Sequence, residues 1–130
     1  MMRNYRGWIG AASVLTLLAL PTSSLADAAA GEKVFVKECE TCHSVISDQS
    51  VTGPSLQGVV GRKAGTLTNW DYSKALKGSG IVWTPDVLEK WLADPHGKVA
   101  ETDMPYTGLK DAAARKDLVQ YLQAASAKKK

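Results

Sequence analysis

Cys39-Glu40-Thr41-Cys42-His43 constrains this chain more than any other stretch. Two thiols separated by two residues and followed at once by a histidine form the C-x-x-C-H signature of covalent haem attachment. Each residue type has a task there. The thiols can add across two vinyl groups as thioethers, and the spacing lets the next imidazole swing under the iron as its proximal ligand. A thioredoxin-like dithiol, a structural disulfide and half of a zinc site are other uses of the same residues. The dithiol belongs beside a βαβ pattern, which the sequence does not show. Zinc would have to recruit Cys39, Cys42, His43 and His96, with two of the four adjacent in sequence, a poor tetrahedral set. Two Cys in 130 residues are also too few for a disulfide scaffold.

Haem attachment of this kind belongs outside the cytoplasm, and the N-terminus agrees. Met1 to Trp8 carries Arg3 and Arg6 with no acid, Ile9 to Leu20 is a 12-residue stretch without charge, and Pro21 to Ala26 is short and small-residue-rich. That is the three-part pattern of a secretory signal peptide, with cleavage expected after Ala26 through Ser24 and Ala26, and Ala28 to Ala30 as competing sites. The apolar stretch is shorter than the roughly 20 residues of a membrane-spanning helix, so no stable membrane insertion is expected. The expected organisation is a cleaved signal peptide over 1–26, a haem domain over 27–126 and a basic tail over 127–130, in the periplasm. Cleavage leaves 104 residues and lowers the formal charge from +3 to +1, because both arginines leave with the signal. Three of the remaining positives are Lys128, Lys129 and Lys130. A body this close to neutral is not built to bind nucleic acid.

Along the mature chain, Ala28 to Cys39 reads as a helix that runs into the Cys pair. Residues 44 to 70 are broken by Gly53-Pro54, Gly58, Gly61 and Gly65 and read as a long loop. Asp71 to Lys77 predicts a short helix stopping at Gly78. Thr84-Pro85 is a helix start, with Thr as cap and Pro at the first helical position. Val87, Leu88, Trp91 and Leu92 follow on one face, and Asp94-Pro95 ends that helix. Gly97 to Gly108 reads as irregular. Asp111 opens a last helix in which Ala114, Leu118, Tyr121 and Leu122 share a face. No convincing strand appears, so the fold class is all-α with long loops. Three helices bury too little to order about 50 loop residues at roughly 1 to 2 kcal/mol of backbone entropy each. A large apolar cofactor would offset that deficit.

After processing one methionine remains, Met104, in the irregular stretch Thr102-Asp103-Met104-Pro105-Tyr106. A lone Met is more often a core filler than a ligand. The motifs together change that balance. Cys39-Glu40-Thr41-Cys42-His43, Gly53-Pro54-Ser55-Leu56 with Gly58, Gly61-Arg62-Lys63-Ala64-Gly65, Tyr72-Ser73 and Gly80-Ile81-Val82-Trp83 stand in that order. Leu88, Leu92, Pro95, Thr102, Met104 and Pro105 complete the series. From Gly31 to about Ala124 the chain resembles the class I cytochromes c, and more closely their bacterial members similar to mitochondrial cytochrome c. The resemblance implies a cytochrome c fold. Its terminal helices would cross at Gly31 and Phe35 against Leu118 and Tyr121, and its long loops would wrap one covalent haem c.

It also implies roles. Cys39 and Cys42 hold the haem, His43 and Met104 ligate its iron, and the Pro54 carbonyl accepts the free N–H of His43. Thr102 donates its hydroxyl near the ligand or a propionate, and Arg62, Trp70, Tyr72 and Trp83 serve the propionates, carboxylates that need partners when buried. His96 is the competing axial ligand, with a loop-surface histidine as its plainer reading. Trp91 stands where mitochondrial members have a Tyr near the Met sulfur, and Leu76 replaces a polar residue of their internal water network.

The implied function is a soluble, monomeric electron carrier between membrane or soluble redox partners, with no catalysis, since both axial positions are filled. Its rival is a small haem enzyme or gas-binding sensor in which Met104 is off the iron and Asp103 or His96 serves as a distal group. Family members dock through lysines around the haem edge. Here Lys37, Lys63 and Lys98 are the candidates, but Asp103 sits beside the axial Met where relatives have Lys.

Overall fold

Gly31 decides how the two longest helices meet. In the computed structural model, described over residues 23–128, α1 (Ser23–Glu38) and α5 (Ala112–Ala127) are 16 residues each. They cross where Gly31 meets the backbone of Asp117. A Cβ at Gly31 would overlap the Asp117 carbonyl and lie 2.8 Å from the Cβ of Tyr121. The missing side chain lets Phe35 tilt onto Tyr121, with ring centroids 5.4 Å apart, an arrangement contributing about 0.5 to 1.5 kcal/mol beyond its buried area. Leu118 is fully enclosed beside them. This is the crossing that the resemblance implied.

α1 starts at Ser23 rather than Ala28; Ser23 to Asp27 contain no Gly or Pro to stop the helix, and the nearest Pro is Pro21, ahead of its first residue. It therefore spans the expected cleavage point after Ala26. Residues 1–22 of the expected signal peptide, and Lys129 and Lys130 of the expected tail, lie outside the described residues. Among those described, no helix is long and apolar enough to cross a membrane.

The shorter helices follow their caps. In α3 (Pro85–Ala93), Thr84 accepts from the Val87 amide, and Leu88, Trp91 and Leu92 are buried. Asp111 accepts from the amides of Ala113 and Ala114 at 2.9 and 3.1 Å to start α5. Such caps contribute about 0.5 to 2 kcal/mol each. α2 (Lys74–Gly78) begins later than the expected Asp71, because the Ser73 side chain caps it by accepting from the Leu76 amide. The stretch from Gly97, expected to be irregular, starts inside a turn of helix. Asp94 both closes α3, through its amide on the Trp91 carbonyl, and opens α4 (Pro95–Lys98), accepting from the Gly97 amide.

Residues 44–73 contain no helix, and no strand forms among the described residues. One isolated antiparallel bridge joins Lys63 to Val82, where the Ala64 amide bonds the Ile81 carbonyl at 2.8 Å and the Trp83 amide the Arg62 carbonyl at 2.9 Å. Around it Val45, Val59, Ala64, Leu76 and Trp83 form one core with α3 and α5.

Candidate haem site

The attachment segment is built by the end of α1. The amides of Cys39 and Glu40 both bond the Phe35 carbonyl, and those of Cys42 and His43 then bond the Cys39 carbonyl at 3.1 and 2.9 Å. This tight turn brings both thiols and the imidazole into one short stretch. The two cysteines are half-buried and not joined to each other. The Cys39 thiol is pushed up to about 12, chiefly by burial and then by the Glu38 carboxylate and Cys42. No group of three or more His, Cys, Asp or Glu among the described residues could hold a bare metal ion.

His43 is held along one edge by the Gly53-Pro54 turn. Its Nδ1 meets the Pro54 carbonyl at 2.7 Å, so Nδ1 carries the proton and Nε2 keeps its lone pair. Gly53 lies against the same edge: a Cβ there would lie 2.6 Å from Cε1 and 2.9 Å from Nδ1 of the ring. The Gly53 amide bonds the Cys42 carbonyl at 2.9 Å and closes the loop. Burial lowers the pKa of His43, and the bond to Pro54 opposes the shift only in part. The neutral imidazole with one nitrogen tied back is the form that ligates a metal.

Met104 is half-buried against the core. Its backbone is held differently. The Met104 amide donates to Oγ1 of Thr102 at 3.4 Å, and Thr102 is itself only 7% exposed, with its amide on the Val99 carbonyl at 3.0 Å. Since that hydroxyl oxygen accepts from Met104, its own O–H is left to donate. No backbone–backbone hydrogen bond reaches residues 103–108 among those described. The chain is caught again at Gly108, whose φ of +104° lets it pass close to the Ala93 carbonyl, and at the Leu109 amide, 2.7 Å from the Leu92 carbonyl. Between these anchors the Tyr106 hydroxyl donates to Oε2 of Glu38 at 3.1 Å. Burial, and then the Glu38 carboxylate, push that phenol well above its ordinary range, so it remains a donor.

Sequence reasoning missed the Glu38–Tyr106 bond, which joins residues 68 apart. The one local hint is an acid at the last position of α1, where the helix dipole disfavours negative charge.

The four residues assigned to the propionates have differing surroundings. The half-buried Arg62 guanidinium donates to the carbonyls of Ser55 at 2.7 Å and Gln57 at 3.1 Å. It thereby clamps the loop that follows Pro54, a task beyond the expected one. Burial lowers its pKa, and it stands close enough to Tyr72 for the two to interact; burial raises the pKa of Tyr72. Trp70 is half-buried. Trp83 is buried and meets Trp91 edge-on with centroids 5.1 Å apart. His96 and Asp103 are exposed.

Two free thiols in one turn, a neutral imidazole with a free Nε2 and a thioether on a separate segment match what a covalently bound haem requires. The fold and site define a c-type haem protein. The cytochrome c family model matches residues 28–126, and the chain belongs to the cytochrome c family. Cytochrome c 2.1 of Caenorhabditis elegans is 44% identical over 98 residues, spanning 75% of this chain and 88% of the relative. Cytochrome c2 of Blastochloris viridis is 42% identical over 98 residues, 75% of this chain and 76% of the relative. Among solved structures, cytochrome cH from Methylobacterium extorquens superposes with a TM-score of 0.71 at 43% identity, covering 75% of this chain and 98% of that one. The fold is the all-α cytochrome c fold, and the protein is an electron-carrying haem protein with one covalently attached haem c.

Proposed function

We propose that the chain is a soluble periplasmic carrier in which His43 and Met104 are the two axial ligands, passing electrons between redox protein complexes without catalysing a reaction of its own. The observation that carries this reading is the 2.7 Å contact of His43 Nδ1 with the Pro54 carbonyl, which leaves Nε2 as the ligating nitrogen. When bound, the haem supplies one-electron chemistry. Ligation by both His43 and Met104 leaves no open iron position, which argues against an enzyme or gas sensor, and a thioether ligand raises the reduction potential.

Arg62, Trp70, Tyr72 and Trp83 are the proposed propionate partners, and Thr102 the hydroxyl donor. Periplasmic delivery is supported by the charge and hydropathy pattern of residues 1–26. Partners are redox proteins met in brief, small encounters, by a carrier that is monomeric.

Intact mass after denaturation and acid-acetone extraction tests attachment and processing together. The expected species starts near Asp27 and retains one haem mass. Haem lost to the solvent, or two alkylatable thiols, contradicts attachment through Cys39 and Cys42.

A further inference from the structure

The segment carrying Met104 lacks backbone anchoring over residues 103–108. Side chains hold it: Thr102 Oγ1 on the Met104 amide before the sulfur, Glu38 on the Tyr106 hydroxyl after it, and Nζ of Lys110 on the Thr107 carbonyl at the far end. Pro105, between the two, has no N–H to offer. Glu38 immediately precedes Cys39, so the second bond ties the methionine segment directly to the haem attachment turn. Both carboxylate oxygens of Glu38 are engaged, since Oε1 lies 3.3 Å from Nζ of Lys37. The Glu38 side chain is only 23% exposed against 81% for Lys37. An acid at a helix C-terminus runs against the helix dipole, and such breaks of a local rule concentrate at functional positions.

We propose that Glu38 and Tyr106 are positioning residues that form a clasp between the two ligand-bearing segments and set how readily the Met104 sulfur leaves the iron. The proposal rests on the axial role of Met104. Opening of the 103–108 segment is the motion that frees the sulfur, and the clasp must break for that segment to swing away from Cys39. With the clasp closed, the segment is tethered on both sides of the sulfur. Without it, the chain is free from Met104 to Thr107, whose carbonyl accepts from Nζ of Lys110 at 3.2 Å.

The test is displacement of the sulfur by imidazole in ferric holoprotein, followed by stopped flow as loss of the far-red band of methionine sulfur on iron. Tyr106→Phe and Glu38→Ala should each speed displacement by roughly tenfold to a hundredfold, as expected for a lost hydrogen bond to a charged group. The double variant should be no faster than either single one, because both remove the same bond. Glu38→Gln keeps an acceptor oxygen and should retain most of the slow rate. Single-variant rates within twofold of wild type, or a lowered Tm with unchanged displacement, would overturn the clasp while wild type still shows the band. A wild-type protein without the band would overturn the axial role of Met104 itself, and the clasp with it.

Discussion

The two sides of this site are held by different means. On the histidine side the chain fixes the ring with its own backbone: the Pro54 carbonyl takes Nδ1, and Gly53 leaves no room for rotation toward it. On the methionine side the backbone from 103 to 108 makes no such bonds among the described residues, and the thioether hangs between a threonine and a tyrosine. A ligand fixed by backbone and steric contact moves only when the loop unfolds. One fixed by two side-chain hydrogen bonds can leave through a local opening. As the proposed axial pair, the two residues are held unequally, and we expect His43 to be permanent and Met104 exchangeable.

The most damaging change should be on the rigid side. Gly53→Ala puts a Cβ where only 2.6 Å separates it from the His43 ring, so the ring or the loop must shift, at a cost of about 1 to 3 kcal/mol or more. We expect a lower Tm and a partly high-spin ferric spectrum. A low-spin variant with an unchanged Tm would mean that the contact with Gly53 does not orient the imidazole.

A smaller effect is expected from Thr102→Val, which removes the acceptor for the Met104 amide. One hydrogen bond contributes about 1 kcal/mol, so imidazole should displace the sulfur about fivefold faster. Thr102→Ser should restore the slow rate. The His43 Nδ1 proton should stay as protected from exchange as in wild type; if it is lost in parallel, the two sides are coupled and the contrast fails.

The smallest effect concerns partners. Of the lysines considered for docking, Lys37 is paired with Glu38, and exposed Glu101 and Asp103 flank buried Thr102. Long-range steering is screened within about 8 to 10 Å at physiological ionic strength. Stopped-flow electron transfer with a redox partner should therefore slow by less than tenfold between low and physiological salt. A steeper loss would assign docking to a strongly basic face.

Much of this was legible in the sequence where a residue type has a local meaning. Thr84-Pro85 and Asp111 start helices because their side chains satisfy amides two or three residues away, while the crossing at Gly31 came through the resemblance. Cys39, Cys42 and His43 announced the attachment turn by spacing alone, whereas Pro54 came through the resemblance. What was not legible depends on residues far apart or on double use. Asp94 reads as a helix end and also caps the next helix. Arg62 reads as a propionate donor, and its bonds to Ser55 and Gln57 follow from a loop path that no periodicity encodes. The Glu38–Tyr106 bond spans 68 residues, beyond any local pattern. Trp91 stands out in the sequence as a departure from mitochondrial relatives, but its edge-on contact with Trp83 appears only once α3 packs against the loop that carries Trp83.

The central claim is that His43 and Met104 ligate the iron, with Met104 as the exchangeable member. The far-red absorption of ferric holoprotein, recorded for wild type, Met104→Ala and His96→Ala, tests it most directly. The weak sulfur-to-iron band is expected in wild type and His96→Ala, with its loss in Met104→Ala and rapid carbon monoxide binding by the reduced Met104→Ala protein alone. A band removed by His96→Ala, or a wild-type protein that already binds carbon monoxide rapidly, would contradict it.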